Sequence, residues 1–295
     1  MPVAVIINPV AGGTRSLAPE KRVRLAEKAL ARHGAVGRVL LTGRPGHGSE
    51  LARQAVADGA TTVVAWGGDG TINEVASQLV GTDTAFGIVR AGSGNGLARE
   101  LGIPKRPDAA LDIALAGGER RIDVGEIEGR PFLNVAGIGF DAAMAAAFNR
   151  LGGERRGPIR YTIRVLRAAF DYKAVRCTVD VDGYRFDADA LVVAIANLPQ
   201  YGSNAVIAPR AQPDDGLFDV VVVEDRGVLG RLGLAPRVFD RTIDKAAGVT
   251  TLRGIRVTVT AEGPLDFHVD GEPHPGGRTT VRATIHPGNL RVRVA

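Results

Sequence analysis

Trp66-Gly67-Gly68-Asp69-Gly70-Thr71 is the stretch on which the reading of this chain turns. It follows the apolar run Thr62-Val63-Val64-Ala65 and leads into a helical pattern through Ile72, Val75, Ala76 and Leu79. That order is strand, glycine-rich turn, helix start. Free backbone N–H groups and the helix dipole favour an anion at such a junction, and glycines let a ligand approach the backbone. Asp69 adds a carboxylate able to hold a metal ion or take a proton. Gly-Gly-Asp-Gly is also ordinary turn composition, so the stretch alone leaves a phosphate site and a plain turn both open.

Outward from it, the first 120 or so residues alternate strand and helix. Strands are expected at 3–7, 36–41, 62–66 and 86–89, and helices at 20–33, 49–57, 72–80, 97–101 and 108–116. The first helix should carry Val23, Ala26 and Leu30 on one face, with Gly34 as its stop. Such alternation predicts a doubly wound α/β domain over residues 1–121, its parallel sheet binding ligands at the carboxyl ends of the strands.

After Arg120 the pattern changes to period two with tight turns. Cys177–Val181, Asp182-Gly183 and Tyr184–Ala194 read as a hairpin. Further strands fit 218–223, 255–260, 267–269, 279–285 and 290–294. Residues 122–295 are therefore expected to form a mainly antiparallel β-sandwich or distorted barrel. Helices are expected near Ala142–Arg150 and Ile159–Tyr172, and Pro236 should split Arg226–Lys245 into two short ones.

The 295 residues suffice for about two domains. One cysteine, Cys177, rules out an internal disulfide framework and a cysteine-based zinc site. No segment approaches the roughly 20 apolar residues that span a bilayer. The first residues read as an immediate strand, so no signal peptide is expected and a cytoplasmic location with peripheral membrane association is. A net charge of +5 favours anionic partners, and without a long basic run nucleic acid is not expected.

Asn8-Pro9-Val10-Ala11-Gly12-Gly13 ends the first strand and Gly92-Ser93-Gly94-Asn95-Gly96 ends the fourth. Three glycine-rich turns at strand ends point together to a phosphate-rich ligand. With Asn134–Asp141 (NVAGIGFD), Ala208–Val220 (APRAQPDDGLFDV) and Val269–Pro273 (VDGEP) in the same order, the chain resembles the diacylglycerol kinase catalytic-domain family, which includes bacterial lipid kinases and the sphingosine and ceramide kinases. The resemblance implies two domains, an N-terminal one like those of NAD kinases and phosphofructokinases and a β-rich one. It also implies ATP and Mg2+ as cofactors, and a lipid substrate in an apolar pocket of the second domain. That pocket would draw on Leu191–Leu198 and Ala205–Ala208.

Residue by residue, the resemblance makes Asp69 the catalytic carboxylate. Asn8, Pro9 and Thr42 become nucleotide contacts, with Gly67, Gly68, Gly70, Thr71, Gly92, Ser93 and Gly94 around the phosphates and Asn95 bracing the loop. Arg150, Arg155 and Arg156 are candidate cations, and His47 a residue near the nucleotide. Asp270 and Glu272 would bind magnesium or relay a proton; Asp214 and Asp215 would hold a structural metal; Asp141 would bind the lipid head group. Each has a plainer alternative: a hairpin turn at 270–272, a turn at 214–216, a helix N-cap at Asp141, surface arginines. Gly96 departs from the acidic residue of many bacterial diacylglycerol kinases, which leaves a sphingoid-type lipid as open as diacylglycerol. The alternatives are a soluble small-molecule kinase of the NAD kinase type and an inactive nucleotide- or lipid-binding module. The basic, amphipathic 226–245 stretch suits an acidic membrane, and a homodimer is a further expectation.

Overall fold

The structure is a computed structural model that describes residues 2–12, 17–92, 94–150, 172–202 and 204–295. The chain falls into two compact units, Met1–Val124 with His286–Ala295, and Gly125–Ile285.

The first unit is built on the parallel strands β1 (Pro2–Ile7), β2 (Val36–Leu41), β3 (Thr62–Gly67) and β4 (Ala85–Arg90), in the order β2-β1-β3-β4, and β5 (Gly118–Ile127) leads on from it. Between and after them run α1 (Pro19–Arg32), α2 (His47–Ala57), α3 (Asp69–Ala76), α4 (Gly96–Glu100) and α5 (Pro107–Ala116). Every residue of β3 is buried, as in a parallel strand covered on both faces. Helix α1 packs with α5, and α2 with α3. A Cβ on Gly87 would stand 2.7 Å from that of Ala114, so glycine is what lets α5 lie close on β4. The strand order reverses at β1, which puts the ends of β1 and β3 side by side where such sheets bind ligands.

The second unit contains β6 (Arg130–Phe132), β7 (Val135–Gly139), α6 (Phe140–Arg150), β8 (Val175–Val181), β9 (Tyr184–Ala196), β10 (Gln200–Gly202), β11 (Ala205–Val206), β12 (Phe218–Glu224), α7 (Gly227–Phe239), β13 (Val249–Gly254), β14 (Arg256–Ala261), β15 (Phe267–Val269) and β16 (Glu272–His274). Pairing is antiparallel throughout: β15 with β7, β7 with β9, β9 with β8 and β12, β8 with β14, β12 with β13. Successive side chains of a strand point to opposite faces. Thus Val193 and Ile195 of β9 and Val220 and Val222 of β12 enter one apolar core, while Val192, Ala194, Ala196, Val221 and Val223 enter a second. The Asp182-Gly183 hairpin forms as expected, with φ of 50° and 93° and Val181 opposite Tyr184.

Three sequence expectations are corrected. Strands 279–285 and 290–294 are one strand, β17 (Thr280–Val294), in which Gly288 (φ 61°) and its N–H bond to Asp123 (2.7 Å) carry the backbone past Pro287. Its last residues belong to the first unit, Val292 pairing with Phe86, so residues 286–295 do not stay with the second domain as a cut at 121/122 supposed. Pro236 does not split 226–245: it sits inside α7, and the break falls after Phe239, before a 3-10 turn at Ile243–Lys245. The helix expected at 159–172 lies outside the described residues, Tyr172 excepted.

Candidate functional site

Three loops of the first unit are braced against one another. Asn8 donates through Nδ2 to Thr71 Oγ1 (2.9 Å) and accepts from Val10 N–H (3.1 Å), tying the end of β1 to α3. Asp69, first residue of α3, accepts from the N–H groups of Asn95 (2.7 Å) and Gly96 (2.8 Å). Asn95 sits at φ 53° and closes its own loop by accepting from Gly92 N–H (3.0 Å) and donating to the Gly92 carbonyl.

The glycines prove to have different reasons. A Cβ on Gly92 would lie 2.8 Å from Gly68 Cα, one on Gly94 2.5 Å from Asp69 Oδ2, and one on Gly67 2.6 Å from Thr71 Oγ1. These three let the loops and side chains touch. A Cβ on Gly70 would meet nothing within 4 Å, so that position opens outward. The N-cap of α3, Gly68, makes no side-chain cap bond, which leaves first-turn N–H groups for an anion.

Cations stand beside these loops where the sequence reading had not placed them. The Arg22 guanidinium, 1% exposed, donates to the carbonyls of Leu17 (2.9 Å), Asn8 (2.7 Å) and Ala11 (2.6 Å) and so shapes the first loop; burial lowers its pKa. Arg99 donates through Nε to Gly94 O (2.7 Å). Arg90 closes β4; burial first, then repulsion from Arg99, lowers its pKa, and its buried Nε has no hydrogen-bond partner among the described residues. A phosphate oxygen would satisfy that donor, so the residues present fit a nucleotide's phosphates. Arg99 was legible as one helical turn beyond Asn95; Arg22 was masked by lying on an apolar helix face with Ala26 and Leu30. Ser93, Arg155, Arg156 and the Arg150 side chain lie outside the described residues. Thr42 is buried at the end of β2, its N–H on Ile7 O (2.9 Å), and His47 Nδ1 accepts from Gly43 N–H (3.0 Å), so both shape the backbone. Pro9 follows Asn8 in the first loop.

Arg22 carries a prediction. Arg22→Met keeps the apolar stem and removes the donors to three carbonyls. Nucleotide affinity should fall by about 10-fold, and unfolding free energy by about 2 kcal/mol. Titration calorimetry beside a thermal melt checks both; unchanged affinity would show that the first loop does not bear on the nucleotide.

In the second unit, Asp270 and Gly271 (φ 48° and 84°) make a two-residue turn between Val269 and Glu272, which pair. The Asp270 carboxylate accepts from the N–H groups of Leu133 (2.8 Å), Asn134 (2.8 Å) and Val135 (3.0 Å). Burial raises its pKa, and those three bonds pull against the rise without cancelling it. The carboxylate is thus a clamp on the chain before β7, and Glu272 is the exposed carboxylate of the turn.

Asp141, in the first turn of α6, accepts from Ala142 N–H (2.8 Å), Tyr201 Oη–H (3.0 Å) and His268 Nε2 (3.2 Å). Burial, then the Asp141 charge, pushes the Tyr201 phenol well above 10, so it remains a donor. Asp141 thus lies in the first turn of its helix as a half-buried acceptor of three donors.

Asp215 is paired with Arg253, whose Nε lies 3.4 Å from buried Asp219. Asp214 is exposed, and no group of three His, Cys, Asp or Glu fit to hold a metal ion lies among the described residues. This donor set does not fit the expected structural metal, because a guanidinium already neutralises it. A magnesium ion brought with phosphates needs only one or two protein carboxylates, which suits Asp69.

The site thus sits on a parallel α/β unit with braced glycine-rich loops at its switch point, followed in the chain by an antiparallel β unit. Residues 2–127 match the diacylglycerol kinase catalytic domain, and residues 134–294 the YegS C-terminal NAD kinase beta sandwich-like domain. The chain is 31% identical over 296 residues to a diacylglycerol kinase of Mycobacterium tuberculosis (96% of this chain, 93% of the other). It is 32% identical over 284 residues to a probable lipid kinase YegS-like of Pseudomonas aeruginosa (94% and 91%). A solved diacylglycerol kinase from Bacillus anthracis shares the fold, with TM-score 0.77 and 18% identity over 99% of this chain and 96% of that one. The chain belongs to the diacylglycerol kinase catalytic-domain family and is an enzyme of it.

Proposed function

We propose that the protein transfers the γ-phosphate of ATP to a hydroxyl of a membrane-derived lipid, diacylglycerol or a sphingoid-type alcohol. The observation that carries this reading is the braced cradle at the ends of β1, β3 and β4, with its open α3 N-terminus and the orphaned Arg90 donor. Phosphoryl transfer asks a protein mainly for positioning and charge neutralisation. The first-turn N–H groups of α3, Arg90 and Arg99 supply these for the phosphates. Asp69 is held in place by Asn95 and Gly96, and each of its oxygens keeps a lone pair for a metal ion or the hydroxyl proton. Magnesium supplies charge neutralisation when bound, and Asp69 is the carboxylate of the first unit that would hold it. In the second unit, Glu272 and Asp141 are the residues offered to the lipid and its phosphorylation.

Membrane contact suits α7. Leu234 and Val238 pack on the core, while Leu232 (44% exposed) and Phe239 (65%) face outward, and Arg241 and Lys245 are exposed further along the chain. Among the described residues no helix is long and apolar enough to cross a membrane.

The test is transfer of label from γ-labelled ATP, with magnesium, into diacylglycerol, sphinganine, ceramide and polyprenol in mixed micelles, with NAD as the soluble control. Label in one lipid is expected and names the substrate. Label in NAD alone, or bound ATP with no turnover, would sink the lipid-kinase reading.

A further inference from the structure

His268 lies on β15, 2% exposed, directly across from Gly137 of β7. A Cβ on Gly137 would overlap the Asp141 carboxylate and stand 2.5 Å from His268 Nε2, so glycine is required there for histidine and aspartate to meet. The other ring nitrogen, Nδ1, accepts from the N–H of Gly271 (3.2 Å), inside the turn that ends on Glu272. A backbone N–H can only donate. Nδ1 must therefore carry the lone pair and Nε2 the proton, which goes to Asp141 Oδ2. The tilted Tyr201 ring, 5.8 Å from the imidazole by centroids, covers the same aspartate from another side. A continuous path of bonds thus runs from Tyr201 through Asp141 and His268 to the backbone of the turn.

We infer that His268 is a positioning residue for phosphoryl transfer: by holding Gly271 N–H and Asp141 at once, it fixes how Glu272 leaves the turn and sets that carboxylate in register with Asp141. This rests on the kinase reading above, in which Glu272 works in the transfer. Asp270 anchors the turn's first residue through its carboxylate, and His268 orders the second. A carboxylate displaced by an ångström can lose two orders of magnitude in rate without any change in what binds.

Two substitutions separate the two bonds. His268→Asn keeps an acceptor where Nδ1 stands and gives up the donor to Asp141. His268→Gln reaches the Nε2 position and gives up the acceptor for Gly271. On the same chain, kcat and KM are measured with whichever lipid accepts label in the transfer assay, and exchange of the Gly271 amide is followed by NMR.

The expected result for His268→Gln is faster Gly271 exchange, by about 10-fold, and kcat lower by about 10- to 100-fold with KM for ATP unchanged. His268→Asn should keep Gly271 exchange within about 3-fold of the parent and lose less of the kcat than His268→Gln, because only the bond to Asp141 is given up. Equal losses in the two variants, or a loss confined to KM or thermal stability, would overturn the inference. If the unaltered protein labels no lipid, the kinase reading has failed on its own terms. The exchange experiment still decides whether His268 holds the turn, and unchanged Gly271 exchange in His268→Gln would reject it.

Discussion

Asp69→Asn is expected to lower kcat by about 1,000-fold while the protein remains folded. The carboxylate accepts two backbone N–H groups, from Asn95 at 2.7 Å and Gly96 at 2.8 Å. An amide has one acceptor oxygen. Its NH2 would face either Asn95 or Gly96 as donor against donor, and the loop carrying Gly92 and Gly94 would have to move. The negative charge disappears with it, and with that any hold on a metal ion or a hydroxyl proton. The stability cost is that of one broken charge-assisted bond, about 1–2 kcal/mol, or about 2–4 °C in the melting temperature. Steady-state kinetics and a thermal melt on the same preparation separate the two effects. A variant that kept a tenth or more of the kcat would confine Asp69 to bracing the loop.

The largest loss of stability is expected from Asp270→Ala. Leu133, Asn134 and Val135 are buried, and their N–H groups all end on the Asp270 carboxylate. Truncation removes a buried charge, which by itself would help, since burial already raises this carboxyl's pKa. It also strands three buried donors at about 1–3 kcal/mol each, and the stranded donors win. Allowing for water entering the space, we expect a loss of about 3–5 kcal/mol, a large share of a typical domain's stability. Urea titration of both proteins measures it. A loss under 1 kcal/mol would mean that β7 is held without the clamp.

The pH dependence of this group follows from the same sign. Its folded pKa is raised above 3.8, so its contribution to stability is fully present below that value and declines as pH rises through the folded pKa. Acid unfolding of the protein must therefore come from other carboxylates, and the alanine variant should lose stability at every pH.

What the chain disclosed before folding was what depends on local order. The run Thr62–Thr71 announced strand, turn and helix because apolar residues change period across it, and the Asp182-Gly183 and Asp270-Gly271 turns announced themselves because φ > 0 favours those residues. Partnerships between distant residues were not legible. Asp270 looked like a catalytic carboxylate, and only the return of β15 alongside β7 reveals three N–H groups more than 130 positions away. Asp215, in the turn before β12, meets the guanidinium of Arg253 on β13, 38 residues further on, a pairing that local order does not announce. His268 lies in the strand expected at 267–269, and nothing local says that Gly137 leaves room for it to meet Asp141.

Residue 292 has a consequence for biogenesis. The strand that lies beside β4 is supplied by residues 286–295, so residues 2–124 leave the ribosome before that flank of β4 has its partner. Residues 125–285 can gather around their own core meanwhile. The first unit, begun before the second, is therefore completed after it, and until then it exposes a strand edge to aggregation or chaperone capture.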